Sequence, residues 1–138
     1  MGRRIGTPPA PNRVSVGLTF DTGALIALER RRQRIARVYS TAVADGIPVT
    51  VPAVVVAEWW RGRSDARETI LRGIRVENTT QDLARLAGEA LSAVAGAGAI
   101  DAIVMASAAR RGDIVYTSDL GDLERLKTYF PSVRLLVV

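Results

Sequence analysis

The chain has 138 residues, 48% of them apolar, and a formal net charge of +5 from eighteen arginines, one lysine and 14 acids. It has neither histidine nor cysteine, which excludes Ser-His-Asp triads, His-based acid–base pairs, disulfide frameworks and zinc sites of nitrogen and sulfur. Any metal must therefore take oxygen ligands, the chemistry of Mg2+ and Mn2+. Length and composition predict one globular domain without the ~18-residue apolar run of a membrane span, suited to a reducing cytoplasm. The arginine-rich balance fits either a polyanionic partner or simply an arginine-rich surface.

Residues Met1–Arg13 hold three prolines and three arginines and almost nothing apolar, so a disordered tail is expected ahead of a domain over 14–138. Val16–Phe20 then reads as a buried strand that delivers Asp21 to its carboxyl end, with Thr22-Gly23 leading into a helix. From about Arg30 a second helix follows. Ile35, Val38, Tyr39 and Ala42 form its apolar face, and Arg30, Arg34 and Arg37 form another stripe. That stripe reads as an RNA-backbone contact or as a solvated face whose arginine stems cover apolar neighbours.

Gly46-Ile47-Pro48 turns into a strand, Val49–Val51. Pro52 then favours a helix over Pro52–Trp60 despite three consecutive valines, with Gly62 closing it. A short helix over Asp65–Leu71 and a strand over Ile74–Glu77 come next. Thr79, three residues before Asp82, resembles a capping box for an amphipathic helix carrying Leu83, Leu86, Ala87, Ala90, Leu91 and Val94. Gly96-Ala97-Gly98 ends it, and Asp101 opens a helix that closes at Arg110-Arg111-Gly112. Ile114–Tyr116 is a fourth strand, Thr117-Ser118-Asp119 leads into a helix through Leu126, and Val133–Val138 is a fifth strand. Alternating strands and helices predict an α/β fold with a parallel sheet covered on both faces.

Asp21, Asp101 and Asp119 each precede a helix, where aspartate commonly caps. Glu58 instead lies between Val54-Val55-Val56-Ala57 and Trp59-Trp60, where it is either a buried charge that needs a partner or a metal, or a charge rotated to the solvent side of its helix. In a doubly wound sheet the first and fourth strands meet across the switch point, which would gather Asp21, Asp119 and Asp101 at one edge. Their mutual repulsion calls for a divalent cation.

Four segments in this order resemble the PIN domain, and more narrowly the VapC toxins of bacterial toxin–antitoxin pairs. They are Phe20-Asp21-Thr22-Gly23-Ala24-Leu25; Val56-Ala57-Glu58; Ile100 to Ala106 around Asp101; and Val115-Tyr116-Thr117-Ser118-Asp119 with Asp122-Leu123 behind it. The resemblance implies a three-layer sandwich around a mostly parallel five-stranded sheet, and Mg2+- or Mn2+-dependent endoribonuclease activity. Asp21 and Asp101 match the principal metal ligands. Glu58 and Asp119 match the other two site acids, as ligands through water or orienters of the attacking water, and Thr117 the neighbouring hydroxyl. Asp122 reads either as a fifth acid or as a first-turn residue of the last helix, the latter preferred. The resemblance also implies a homodimer inhibited by a VapB-like antitoxin.

The Pro-rich tail and the tandem Trp59-Trp60 depart from the commoner pattern. One tryptophan is expected in the core, and the other is left to stack on a base or line a dimer contact. A non-cleaving PIN-like protein that binds RNA or antitoxin is the alternative. A phosphoacceptor receiver domain fits less well, because it needs a lysine near the end of its last strand, whereas Lys127 falls in a predicted helix.

Overall fold

Leu18-Thr19-Phe20 forms the central strand β1, buried along its whole length. The computed structural model describes residues 16–138, so the predicted tail Met1–Arg13 lies outside the described residues. From β1 (Leu18–Phe20) the chain passes through α1 (Thr22–Glu29) and α2 (Gln33–Ala44) to β2 (Val49–Pro52). It continues through α3 (Ala53–Trp59) and α4 (Asp65–Gly73) to β3 (Arg75–Glu77), then through α5 (Gln81–Ala93) and α6 (Ala99–Arg111) to β4 (Ile114–Thr117). Last come α7 (Gly121–Leu126) and β5 (Arg134–Val137).

The five strands form one sheet in the order β3-β2-β1-β4-β5, and every pairing is parallel. Parallel neighbours need crossovers, and right-handed crossovers fix the side on which each helix lies. Travel from β1 to β3 runs one way across the sheet and travel from β3 to β5 runs the other. The helices of the two halves therefore cover opposite faces, giving three layers. Consistent with this, α1 packs on α2, α3 and α4, whereas α6 packs mainly on α5 and α7, with a smaller contact to α3. The order also differs from the receiver arrangement 2-1-3-4-5, and Lys127 caps α7 rather than ending a strand. Both facts remove the phosphoacceptor reading.

The core is the set of apolar side chains these layers enclose, including Phe20, Leu25, Ile35, Val51, Val55, Met105 and Leu126. Trp59 belongs to it at 2% exposure, and its indole N–H donates to Glu29. Trp60 is only half-buried, edge-on to Trp59. The choice of helix after Pro52 holds. Pro52 ends β2 in an extended conformation and serves as the N-cap of α3, and Val55 and Trp59, four residues apart, reach the core together.

Several boundaries differ from the predicted ones. β1 starts at Leu18 rather than Val16. The helix after Pro52 stops at Trp59, well before Gly62. Helix α2 begins at Gln33, not Arg30, because α1 ends in a tight left-handed turn first. The N-cap of α5 is Thr80, whose hydroxyl accepts from the Leu83 N–H; Thr79 is one residue too early and its buried hydroxyl has no partner. These two threonines are separable. Thr80→Ala is expected to lower stability by about 1 kcal/mol, whereas Thr79→Val should be neutral or slightly stabilising, since it removes an unsatisfied polar group. Equal losses in urea unfolding would mean that the caps are assigned wrongly.

Candidate active site

Phe20 pairs with Tyr116, so the first residues past β1 and β4 emerge side by side at the carboxyl edge of the sheet. The Asp21 N–H donates to the Tyr116 carbonyl, which sets Asp21 beside Thr117. Helix α6 runs into β4 through Gly112, a left-handed C-cap, and therefore travels antiparallel to that strand. Its amino end, with Asp101, returns to the same edge. Helix α3 leaves that edge after β2 and carries Glu58 in its last turn.

One cleft of about 350 Å3 results, lined by Asp21, Glu58, Asp101, Asp119 and Asp122 together with Thr22, Thr117 and Ser118. All four predicted acids thus share one space, and Thr117 with them. Asp122 joins them as well. It sits in the first turn of α7, as preferred from the sequence, yet it also lines the cleft.

Each acid is held differently. Asp21 is a true N-cap: its Oδ1 accepts from the Ala24 N–H at 2.8 Å. It is 8% exposed. Burial raises its pKa, opposed by the Thr117 hydroxyl and the Ala24 amide, while the Glu58 charge adds to the rise. The Thr117 hydroxyl has one proton to give, and in the present arrangement it donates to the Asp119 carbonyl, so Asp21 and that carbonyl compete for it. Glu58 is exposed, the solvent-side alternative of the two that its apolar neighbours left open. Its position near the end of α3 turns it to the cleft, where it accepts from the Thr22 hydroxyl.

Asp101 is not a helix cap. Gly98 is the N-cap of α6, and Asp101 is the third residue of the helix. Its carboxyl has a pKa raised to about 6, first by desolvation, then by the charges of Asp122, Asp21, Glu58 and Asp119. A first-turn position should favour the anion, so the neighbouring carboxylates and burial outweigh the helix dipole. Asp119 is likewise no cap, since Leu120 holds that position. Its carboxylate accepts from the Gly121 N–H in a local turn. Asp122 pairs with Arg125, whose guanidinium also donates to the Ala95 and Gly96 carbonyls.

The donor set fits a hard divalent cation: oxygen ligands only, with charge in excess of what the local cations neutralise. Among the described residues no three acids converge closely enough to ligate one ion as they stand. Coordination therefore requires side-chain movement, because Glu58, Asp119 and Asp122 are each engaged by other partners.

The predicted arginine stripe is not one surface. Arg30 is the C-cap of α1, while Arg34 and Arg37 stand exposed on α2. Arg34 donates to the Val137 carbonyl of the edge strand β5. Between them Arg31 occupies the left-handed region at φ 56, closing α1 with the paired bonds Arg31 N–H to Leu28 and Arg32 N–H to Ala27. Glycine usually fills that position, and a side chain there costs about 1–2 kcal/mol.

The sequence reading missed the polar network beneath the sheet. Arg111 donates to Glu77 at 2.6 Å, to Asp113 at 2.9 Å and to Thr19 at 2.8 Å. Thr19 in turn donates to Asp113, and Ser107 to Glu77. It ties the carboxyl end of α6 to β1, β3 and β4. An acid directly after Arg111-Gly112, at the foot of a buried strand, was the only sequence signal available.

Similar folds are known. VapBC from Salmonella typhimurium, solved bound to DNA, is 18% identical, with 89% of this chain and 98% of that chain covered and a TM-score of 0.71. VapBC2 from Rickettsia felis, bound to a promoter DNA fragment, is 10% identical, with 88% and 98% covered and a TM-score of 0.73. A toxin–antitoxin complex from Klebsiella pneumoniae is 17% identical, with 85% and 95% covered and a TM-score of 0.61. No curated protein matches the sequence. A family model of the PIN domain matches residues 18–128, and with its parallel sheet and acid-lined edge this chain belongs to the PIN domain family.

Proposed function

We propose that the protein is a metal-dependent endoribonuclease of the VapC toxin type, hydrolysing RNA phosphodiester bonds and restrained by a cognate antitoxin. The observation that carries this reading is the single cleft lined by Asp21, Glu58, Asp101, Asp119 and Asp122. Asp101 bears the electrostatic cost of that gathering. An acidic cleft would repel a phosphodiester unless a cation intervened, so the arrangement makes sense for metal-assisted hydrolysis.

Asp21 and Asp101 would hold the cation, Mg2+ or Mn2+. Bound there, it would supply charge stabilisation to the phosphoryl oxygens and lower the pKa of water. Glu58, steadied by the Thr22 hydroxyl, and Asp119, fixed by its turn, would orient the attacking water and accept its proton. Thr117 tunes Asp21 through its hydroxyl. The basic charge elsewhere, including Arg34 and Arg37, suits an RNA backbone leading to the cleft. An antitoxin partner is supported by the toxin–antitoxin complexes among the similar structures, and a homodimer accords with the family resemblance.

The test is a cleavage assay on total RNA with Mn2+ or with EDTA. Products are expected only with metal, and Glu58→Gln should lower the rate by about 100-fold or more, the usual range for losing a positioned proton acceptor. Retarded RNA without products in Mn2+ would favour a non-cleaving binding protein instead.

A further inference from the structure

Beside the acidic cleft lies a second, larger pocket of about 490 Å3, lined by Gly23, Ile26, Ala27, Arg30, Arg32, Ser118 and Val138. Gly23 and Ser118 border both spaces, so the two adjoin. At that shared border α1 and the segment after β4 approach closely because residue 23 has no side chain. A Cβ there would stand 2.1 Å from the Ser118 hydroxyl oxygen.

The pocket has two chemically distinct parts. Ile26 and Ala27, one turn into α1, supply an apolar floor, and Arg30 and Arg32 supply cations at the rim. Their placement follows from the strained turn. With Arg31 at φ 56, the chain reverses so that Arg30 and Arg32 line this pocket, while Arg31 lines a separate one with Tyr39 and Asp65. A strained residue that separates alternate cations around a cleft-side pocket is the kind of outlier that marks function.

We propose that this pocket is the subsite for the nucleotide next to the scissile phosphate, and that it sets which base the enzyme prefers there. The proposal rests on the ribonuclease reading of the acidic cleft. RNA passing the cleft must continue on one side of it, and only unstacked bases are read sequence-specifically. An apolar floor takes the face of such a base, a guanidinium plane stacks on it, and the second arginine forks the flanking phosphate. The acidic cleft is lined by five acids with Ile100 as its apolar side chain, so a base is held better in the adjoining pocket, where Ile26, Ala27 and Val138 meet two arginines.

The experiment uses an RNA of randomised sequence, cut in Mn2+ by the full-length protein, with the new 5′ ends sequenced. The parent should show a preference of fivefold or more at one position flanking the cut. Ile26→Trp, which fills the pocket, should level that preference to below twofold. Arg30→Gln with Arg32→Gln should lower kcat/KM at least tenfold and flatten its salt dependence by one phosphate contact, ~0.7 in the log–log slope. Both arginines are exposed, so this double variant keeps the test open even if Ile26→Trp folds poorly. A parent that cuts RNA with no flanking preference overturns the subsite and leaves the catalytic reading intact. So does an unchanged preference in Ile26→Trp together with parallel salt slopes for the arginine variant. A parent that cuts no RNA in Mn2+ overturns the catalytic reading, and the subsite falls with it.

Discussion

Asp101→Asn in metal-free buffer near neutral pH should melt no lower than the parent, and above it once the carboxylates are ionised. Asp101 lies in the first turn of α6 with a pKa raised to about 6 by desolvation and by four neighbouring acids. A raised carboxyl pKa means that the folded state binds the proton more tightly than the unfolded chain. Stability is therefore lost as pH rises from near 4, the unfolded value, to about 6, and the penalty stays constant above that. Asp101 is only half-buried, so solvent screening limits the penalty to roughly 1 kcal/mol.

Asparagine keeps the shape and removes the charge, so the variant should lack its share of this pH dependence. Asp21 shifts in the same direction, so the variant's profile flattens without becoming level. Added Mn2+ should reverse the ranking. The parent gains RT ln(1 + [L]/Kd), about 2.7 kcal/mol at a hundredfold excess over Kd, while the variant gains little and cuts no RNA. Melts at pH 4.5 and 7.5, in EDTA and in Mn2+, read both effects. A variant that gains as much from Mn2+ as the parent and still cleaves would remove Asp101 from the metal site.

Arg111→Met is expected to be the most destabilising of these changes, and for a reason unconnected with the cleft. Arg111 is the shared partner of Glu77 and Asp113, and Asp113 is 6% exposed. Without the guanidinium, a buried carboxylate is left with the Thr19 hydroxyl alone. Breaking a buried pair from one side costs about 3–5 kcal/mol. Arg111 and Glu77 keep some solvent contact, which places the loss near the lower limit, roughly a 10 °C fall in Tm for a domain of this size. Adding Asp113→Asn to the variant should recover part of the loss, because the orphaned charge is then gone. A double variant no more stable than Arg111→Met would mean that the arginine acts by packing its stem and not by neutralising Asp113. Metal-dependent stabilisation should survive in Arg111→Met, which separates this network from the acidic cleft.

The order of elements and the kind of sheet were legible from the sequence, because both rest on local patterns. Apolar runs of strand length alternate with segments of helical period, and parallel pairing follows from that alternation. The four acids were legible for a related reason. Asp21, Asp101 and Asp119 lie just past a strand end or in the first turn of a helix, points that an α/β sheet with right-handed crossovers brings to one edge, and Glu58 stays near that edge because α3 is only 7 residues long. What a single acid does there was not local information. Asp21 caps a helix as well as facing the cleft, whereas Asp101 and Asp119 do not cap, because a shift of one or two residues in a helix start moves the cap elsewhere. Glu58 illustrates the same limit: its apolar neighbours left a buried or a solvent-side charge open, and the packing of α3 beside α1 exposes it at the cleft.

The arginines were the least legible part. Spacing of 30, 34 and 37 suggested one helical stripe, but the left-handed residue Arg31 breaks the helix there and sends neighbouring cations into different pockets. Arg111 read as a helix-end charge until Glu77, Asp113 and Thr19, from three different strands or their approaches, closed around it. Periodicity and caps depend on residues a few positions apart, so the sequence alone determines them. Contacts such as Thr19 with Asp113, 94 residues apart, depend on how the layers close, and only the tertiary structure decides those.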